Sequence, residues 1–166
     1  MISEVQGDIF KVKDLDIIAH QANCFHTMGS GIAAQVREKY PAAYEADCQT
    51  GNGDKGKMGT LSMADIPRDD GTILTIVNIY GQYTFERDRR ATSYDALYDG
   101  LSTLKGHMLR IEPYKHKKAW HLGVPKFMGC ALGGGSWIVV NAMLYDLFAT
   151  CAPVDLTICE FTPPCI

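Results

Sequence analysis

The sequence predicts an α/β fold with a mostly parallel central sheet, and three observations carry that expectation. Short runs that read as strands alternate with segments whose apolar residues recur at helical spacing. Glycine-rich turns stand where two of those strands give way to a helix. No repeat, low-complexity segment or linker divides the 166 residues, so residues 1–166 read as one domain.

Residues 4–10 (EVQGDIF) alternate weakly and read as a first strand, and 16–22 (DIIAHQA) as a buried one. A helix over 30–39 carries Ile32, Ala33 and Val36 on one face, Pro41 ends it, and 42–49 continues as a second short helix. Residues 50–57 (TGNGDKGK) are a polar, glycine-rich loop. The runs 58–65 and 72–79, with PRDDG between them, read as an antiparallel hairpin. Tyr94, Leu97, Tyr98, Leu101, Leu104 and Met108 form one stripe of an amphipathic helix over 93–109. A strand over 119–124, a helix over 136–148 and a last strand over 154–160 complete the order.

Composition excludes some classes of function. No stretch approaches the length of apolar chain that spans a bilayer, and Met1-Ile2-Ser3-Glu4 does not begin a secretory signal. The net charge of −3 argues against a dedicated nucleic-acid binder but leaves small anionic ligands open. Six cysteines without a C-x-x-C pair read as reduced thiols in a cytoplasmic protein, not as a zinc site. No metal-ligand set is visible, so no metal and no cofactor are expected.

In open α/β sheets ligands lie beyond the carboxyl ends of strands, where loops turn into helices. The turn Met28-Gly29-Ser30-Gly31 follows the strand 16–22, and the run from Met128 to Gly135 follows the strand 119–124. Glycine lets backbone approach a ligand, and free N–H groups at a helix start attract an anion. Two such loops suggest a diphosphate held from both sides. Neither is a Walker A loop, and neither is a dinucleotide fingerprint with its acidic residue.

The order Gly7-Asp8-Ile9, AHQANCFHTMGSGIAAQV, IVNIYGQ and GVPKFMGCALGGGSW resembles the macrodomain family, the ADP-ribose-binding module, over about residues 3–160. The resemblance implies a three-layer α/β/α fold with a mixed, mostly parallel sheet, and ADP-ribose or a derivative as ligand. Asp8 would accept from the adenine amino group, with Ile9 lining the adenine slot, and Asn23 would contact the distal ribose. Gly29, Ser30, Gly31 and Ile32 would form one phosphate loop. Gly129, Cys130, Ala131, Leu132 and Gly133, after Pro125, would form the other. Tyr80, Gly81 and Gln82 stand where the family often has a ligand-side Val-Gly-Pro segment.

Departures from the family bear on catalysis. One hydrolytic class has an Asp inside the helix after the glycine turn, where this chain has Ala33. Another has a strand-end Lys and a second-loop Asp, where this chain has Asn78-Ile79-Tyr80-Gly81 and Gly133. The chain looks closer to the yeast and phage ADP-ribose-1″-phosphate phosphatases, through His20-Gln21-Ala22-Asn23-Cys24 and Tyr40-Pro41. Residues 76–101 resemble the bacteriophage members, which implies a host cytoplasm if the chain is phage-encoded.

The expected function is therefore hydrolysis of a distal-ribose substituent, foremost the 1″-phosphate. Hydrolysis of an ADP-ribosyl ester, on a protein or as O-acetyl-ADP-ribose, is second, and a reader of ADP-ribosylated protein is the non-catalytic rival. Asn23, His26 and His20 are the catalytic candidates. Tyr83 and Phe85 either cap the ribose or pack their loop, and the run Glu86 to Arg90 is a solvated lead-in unless one arginine meets a phosphate. Cys24 and Cys130 read as small buried residues, and Lys115 to Lys118 as a solvated turn.

Overall fold

A computed structural model of the chain describes residues 1–113 and 117–161. Its strands are β1 (Ile2–Gln6), β2 (Ile17–Ala22), β3 (Leu61–Pro67), β4 (Ile73–Tyr80), β5 (Trp120–Pro125) and β6 (Val154–Glu160). The helices are α1 (Gly31–Lys39), α2 (Pro41–Cys48), α3 (Tyr94–Arg110) and α4 (Trp137–Phe148). The strands form one sheet in the order β1-β6-β5-β2-β4-β3, in which every pairing is parallel except β3 with β4.

All six residues of β2 are buried, because helices cover both faces of the sheet. Ile17 and Ala19 join Leu101, Leu104, Leu144 and Phe148 under α3 and α4. Ile18 packs with Val36, Ala43 and Ile76 under α1 and α2. The three-layer α/β/α arrangement expected above is the one observed.

Element ends shift where backbone chemistry intervenes. β1 stops at Gln6 rather than running to residue 10, because Gly7 turns at φ +137 and the Asp8 side chain caps a 3₁₀ turn over Ile9–Lys11. β3 starts at Leu61 rather than at residue 58, because a second 3₁₀ turn, Lys55–Lys57, and Gly59 at φ +81 come first.

The basic run Lys115 to Lys118 is corrected in part. Lys115 and His116 lie outside the described residues, as does Cys165. Lys117, however, is no free surface charge: its Nζ stands 2.6 Å from Asp16 Oδ1. Asp16 is 4% exposed and also accepts from the His121 N–H at 2.9 Å. The pair ties the segment before β5 to the start of β2. Lys117→Met would strip a buried carboxylate of its cation, so we expect a loss of about 2 kcal/mol in urea unfolding, below the full buried-pair range because the lysine is partly exposed.

Candidate functional site

A cleft of about 640 Å³ opens beyond the carboxyl ends of β2 and β5. One wall is the turn into α1. Ser30 is the N-cap residue of α1 but makes no side-chain cap hydrogen bond, so the first-turn N–H groups stay open to a ligand. Gly31 sits at φ +58, a conformation that favours glycine. The other wall is the loop after β5, where Gly129 sits at φ +73. A Cβ on Gly31 would lie 3.7 Å from Leu132 Cδ1, so the two loops meet across the cleft.

The second loop is held from beneath by side chains. Thr92 Oγ1 donates to the Gly129 carbonyl at 2.7 Å and accepts from Gln21 Nε2 at 2.8 Å. Gln21 Nε2 also donates to Gln82 Oε1 at 2.6 Å. The Gly133 carbonyl accepts from the N–H groups of Ala91 and Thr92, both at 3.0 Å. Among the described residues, the N–H groups of Ala131, Leu132 and Gly133 have no partner, as an anion-binding loop requires.

The expected ligand residues Asn23, Gly29, Ser30, Gly31, Ile32, Gln82, Pro125, Gly129, Ala131, Leu132 and Gly133 all line this cleft. Asn23 is fixed by two bonds, donating to Thr27 Oγ1 at 2.6 Å and accepting from the Phe25 N–H at 2.8 Å. Others expected there do not line it. Asp8 commits a carboxylate oxygen to the Phe10 N–H at 3.0 Å, and Ile9 is buried in the core beneath α1. Gly81 faces Gln21, and Tyr80 points into the α2 layer because strand alternation places it opposite Gln21. Cys130 packs against the main core, and burial pushes its thiol up. Cys24 is fully buried with its thiol raised by burial, so both cysteines stay protonated.

His20 is removed from the catalytic candidates. It is wholly buried, with Nε2 at 2.7 Å from Asn78 Oδ1 and Nδ1 at 3.2 Å from the Gln21 carbonyl. Burial holds its pKa below the ordinary 6.5 despite those bonds, so the folded state keeps it neutral. The unfolded chain protonates first as pH falls. Stability is then complete above about pH 6.5 and lost below it, by at most about 1.4 kcal/mol per pH unit. Urea titrations at pH 7.5, 6 and 5 should show that slope, and His20→Gln should flatten it.

His26 does not line the cleft either; its Nε2 stands 3.2 Å from Thr50 Oγ1 and 4.0 Å from Asp47 Oδ1. Tyr83 packs its loop through a bond from its hydroxyl to the Gly53 carbonyl at 2.9 Å, whereas Phe85 is 58% exposed at the cleft rim. In the charged run, Arg89 pairs with Glu86 and Arg90 lies over the Tyr94 ring, and Arg87 reaches the cleft.

Sequence reasoning misses Gln21, Thr27 and Asp47, all of which line the cleft. Gln21 lies inside the His20 to Cys24 motif. Alternation along β2 is the signal that it and His20 face opposite sides.

No protein-family model matches the chain. It is 27% identical over 167 residues, 98% of each chain, to an uncharacterized 17.5 kDa protein in the tk-vs intergenic region of Enterobacteria phage T4. It is 30% identical over 162 residues to the DNA ADP-ribosyl glycohydrolase of Mycobacterium tuberculosis, covering 95% of this chain and 42% of that one. Over 44 residues it is 48% identical to the ADP-ribose 1″-phosphate phosphatase of Ajellomyces capsulatus, which is 26% of this chain and 17% of the fungal enzyme. The chain therefore spans less than half the length of either named enzyme. Among solved structures, the macrodomain of Mycobacterium tuberculosis DarG superposes with a TM-score of 0.71 at 26% identity over 98% of both chains. Thermosipho africanus DarTG in complex with ADP-ribose shares the fold, with a TM-score of 0.73 at 19% identity over 96% of this chain and 41% of that one.

Proposed function

The chain belongs to the macrodomain family, and from that premise we propose that it is an ADP-ribose-binding hydrolase that removes a substituent from the distal ribose. The observation that carries the reading is the pair of glycine turns facing each other across one cleft, with unpartnered N–H groups along the second loop and an uncapped helix start at the first. That spacing suits a diphosphate gripped from both sides. Gly29 to Ile32 hold one phosphate and Ala131 to Gly133 the other. Asn23, on the cleft wall, orients the distal ribose.

The substituent we favour is the 1″-phosphate, supported by the short match to the fungal phosphatase and by Arg87 at the cleft. A second reading, cleavage of an ADP-ribosyl bond to DNA, is favoured by the match to the mycobacterial glycohydrolase along 95% of this chain. Two substrates separate them: ADP-ribose-1″-phosphate and an ADP-ribosylated DNA oligonucleotide. Phosphate release from the first is the expected result. ADP-ribose release from the second alone would move the assignment to the glycohydrolase reading. Turnover of neither, with ADP-ribose still bound, would make the protein a reader.

A further inference from the structure

Asp47, near the end of α2, is 1% exposed and forms part of the cleft wall. Among the described residues that line the cleft, it is the acidic one. Its Oδ1 is crowded. The Tyr80 hydroxyl donates to it at 2.7 Å, Lys57 Nζ stands at 3.6 Å and His26 Nε2 at 4.0 Å. Its Oδ2 has no hydrogen-bond partner, and neither has Lys57 Nζ. Buried carboxylate oxygens are normally satisfied, so an orphan in a ligand cleft marks a place that a substrate or water completes.

Other groups that could move a proton are committed. His20 is saturated by Asn78 and the Gln21 carbonyl. Burial keeps the Cys24 and Cys130 thiols protonated. Gln82 accepts from Gln21 and donates to the Thr84 carbonyl. The helix that carries Asp47 is tied to the turn that carries Asn23 and Thr27, because the Tyr44 hydroxyl donates to the His26 carbonyl at 3.1 Å.

We propose that Asp47 is the general base of this site, which rests on the distal-ribose reading above. As water attacks the 1″-phosphorus, its O–H bond breaks, the O–P bond forms, and Asp47 Oδ2 takes the proton. The P–O1″ bond breaks with its electron pair on O1″, which receives that proton from Asp47. The products are ADP-ribose and phosphate, and Asp47 returns ionised. The Tyr80 hydroxyl, kept protonated by burial, and Lys57 hold the carboxylate in place. The titratable groups around Asp47 are Tyr44 on its own helix, His20 on β2, Cys24 and His26 after β2, Lys57 before β3, and Tyr80 on β4.

The test compares wild type, Asp47→Asn and Asp47→Glu for kcat, for the pH dependence of kcat/KM and for ADP-ribose affinity. Asp47→Asn should lower kcat by about 100-fold or more, erase the acid limb of the profile and leave ADP-ribose affinity within about threefold. Asp47→Glu should restore part of the rate. A retained acid limb, or a kcat within about threefold of wild type, overturns the assignment. Should Asp47→Asn fail to fold, Tyr80→Phe serves in its place: losing the hydroxyl that holds the carboxylate should lower kcat by about tenfold and leave ADP-ribose affinity within about threefold, and an unchanged kcat overturns the proposal. Wild-type binding of ADP-ribose without turnover would remove the base and spare the ligand reading, whereas no binding would remove both.

Discussion

Gly133→Ala is expected to weaken ADP-ribose binding by tenfold or more, because displacing the loop by one charge-assisted N–H bond to phosphate removes about 1.5–3 kcal/mol. A methyl at Gly133 would strike Thr92 Oγ1, lie 2.6 Å from the Gly129 carbonyl oxygen and approach Gln21 Nε2 at 3.1 Å. One of those atoms is backbone, so the loop itself must move. It cannot move alone, because Thr92 bonds the Gly129 carbonyl while the Gly133 carbonyl takes the N–H groups of Ala91 and Thr92. The overpacking should also cost about 2 kcal/mol of stability. Gly71→Ala separates the effects: its φ is +81 but nothing lies within 4 Å of the new methyl. That variant should lose about 1 kcal/mol to backbone strain and bind normally. Calorimetric titration and thermal melting of the two variants check this, and unchanged affinity in Gly133→Ala would contradict it.

Lys57→Met is expected to lower stability by about 3 kcal/mol in urea unfolding, the scale for removing one partner of a buried ion pair. Lys57 is 5% exposed, 3.6 Å from Asp47, and its ammonium lies 4.2 Å from the centre of the Tyr80 ring. Without it a buried carboxylate keeps the Tyr80 hydroxyl but is left without a counter-ion. The double variant with Asp47→Asn should recover much of the loss, since no unpaired charge is left behind. A loss under about 1 kcal/mol in the single variant would show that solvent reaches the pair.

The elements are legible in the sequence because their signals are local. The stripe from Tyr94 to Met108 predicts α3, and PRDDG between two apolar runs predicts the β3–β4 hairpin, in which Gly71 turns at φ +81 and Asp70 accepts from the Thr72 N–H. The first glycine turn is legible for the same reason, since Gly31 needs a left-handed backbone. The groups around Asp47 are not. Ala43 and Asp47 are four apart on the buried face of α2, yet an aspartate there reads by default as surface. Its partners come from residues 26, 57 and 80, far along the chain. The Gln21–Thr92 bond joins residues 71 apart, and nothing in the local sequence announces it. Tyr80 sits in a motif that implies a ligand residue, but strand geometry turns it to the opposite layer.

The most direct test of the account is calorimetric titration of the intact chain with ADP-ribose, with the Gly133→Ala variant titrated beside it. Saturable one-to-one binding by the wild type, weakened at least about tenfold by the substitution, is the expected result. Saturable binding that Gly133→Ala leaves intact, or no binding at all, would contradict the assignment of the two-loop cleft.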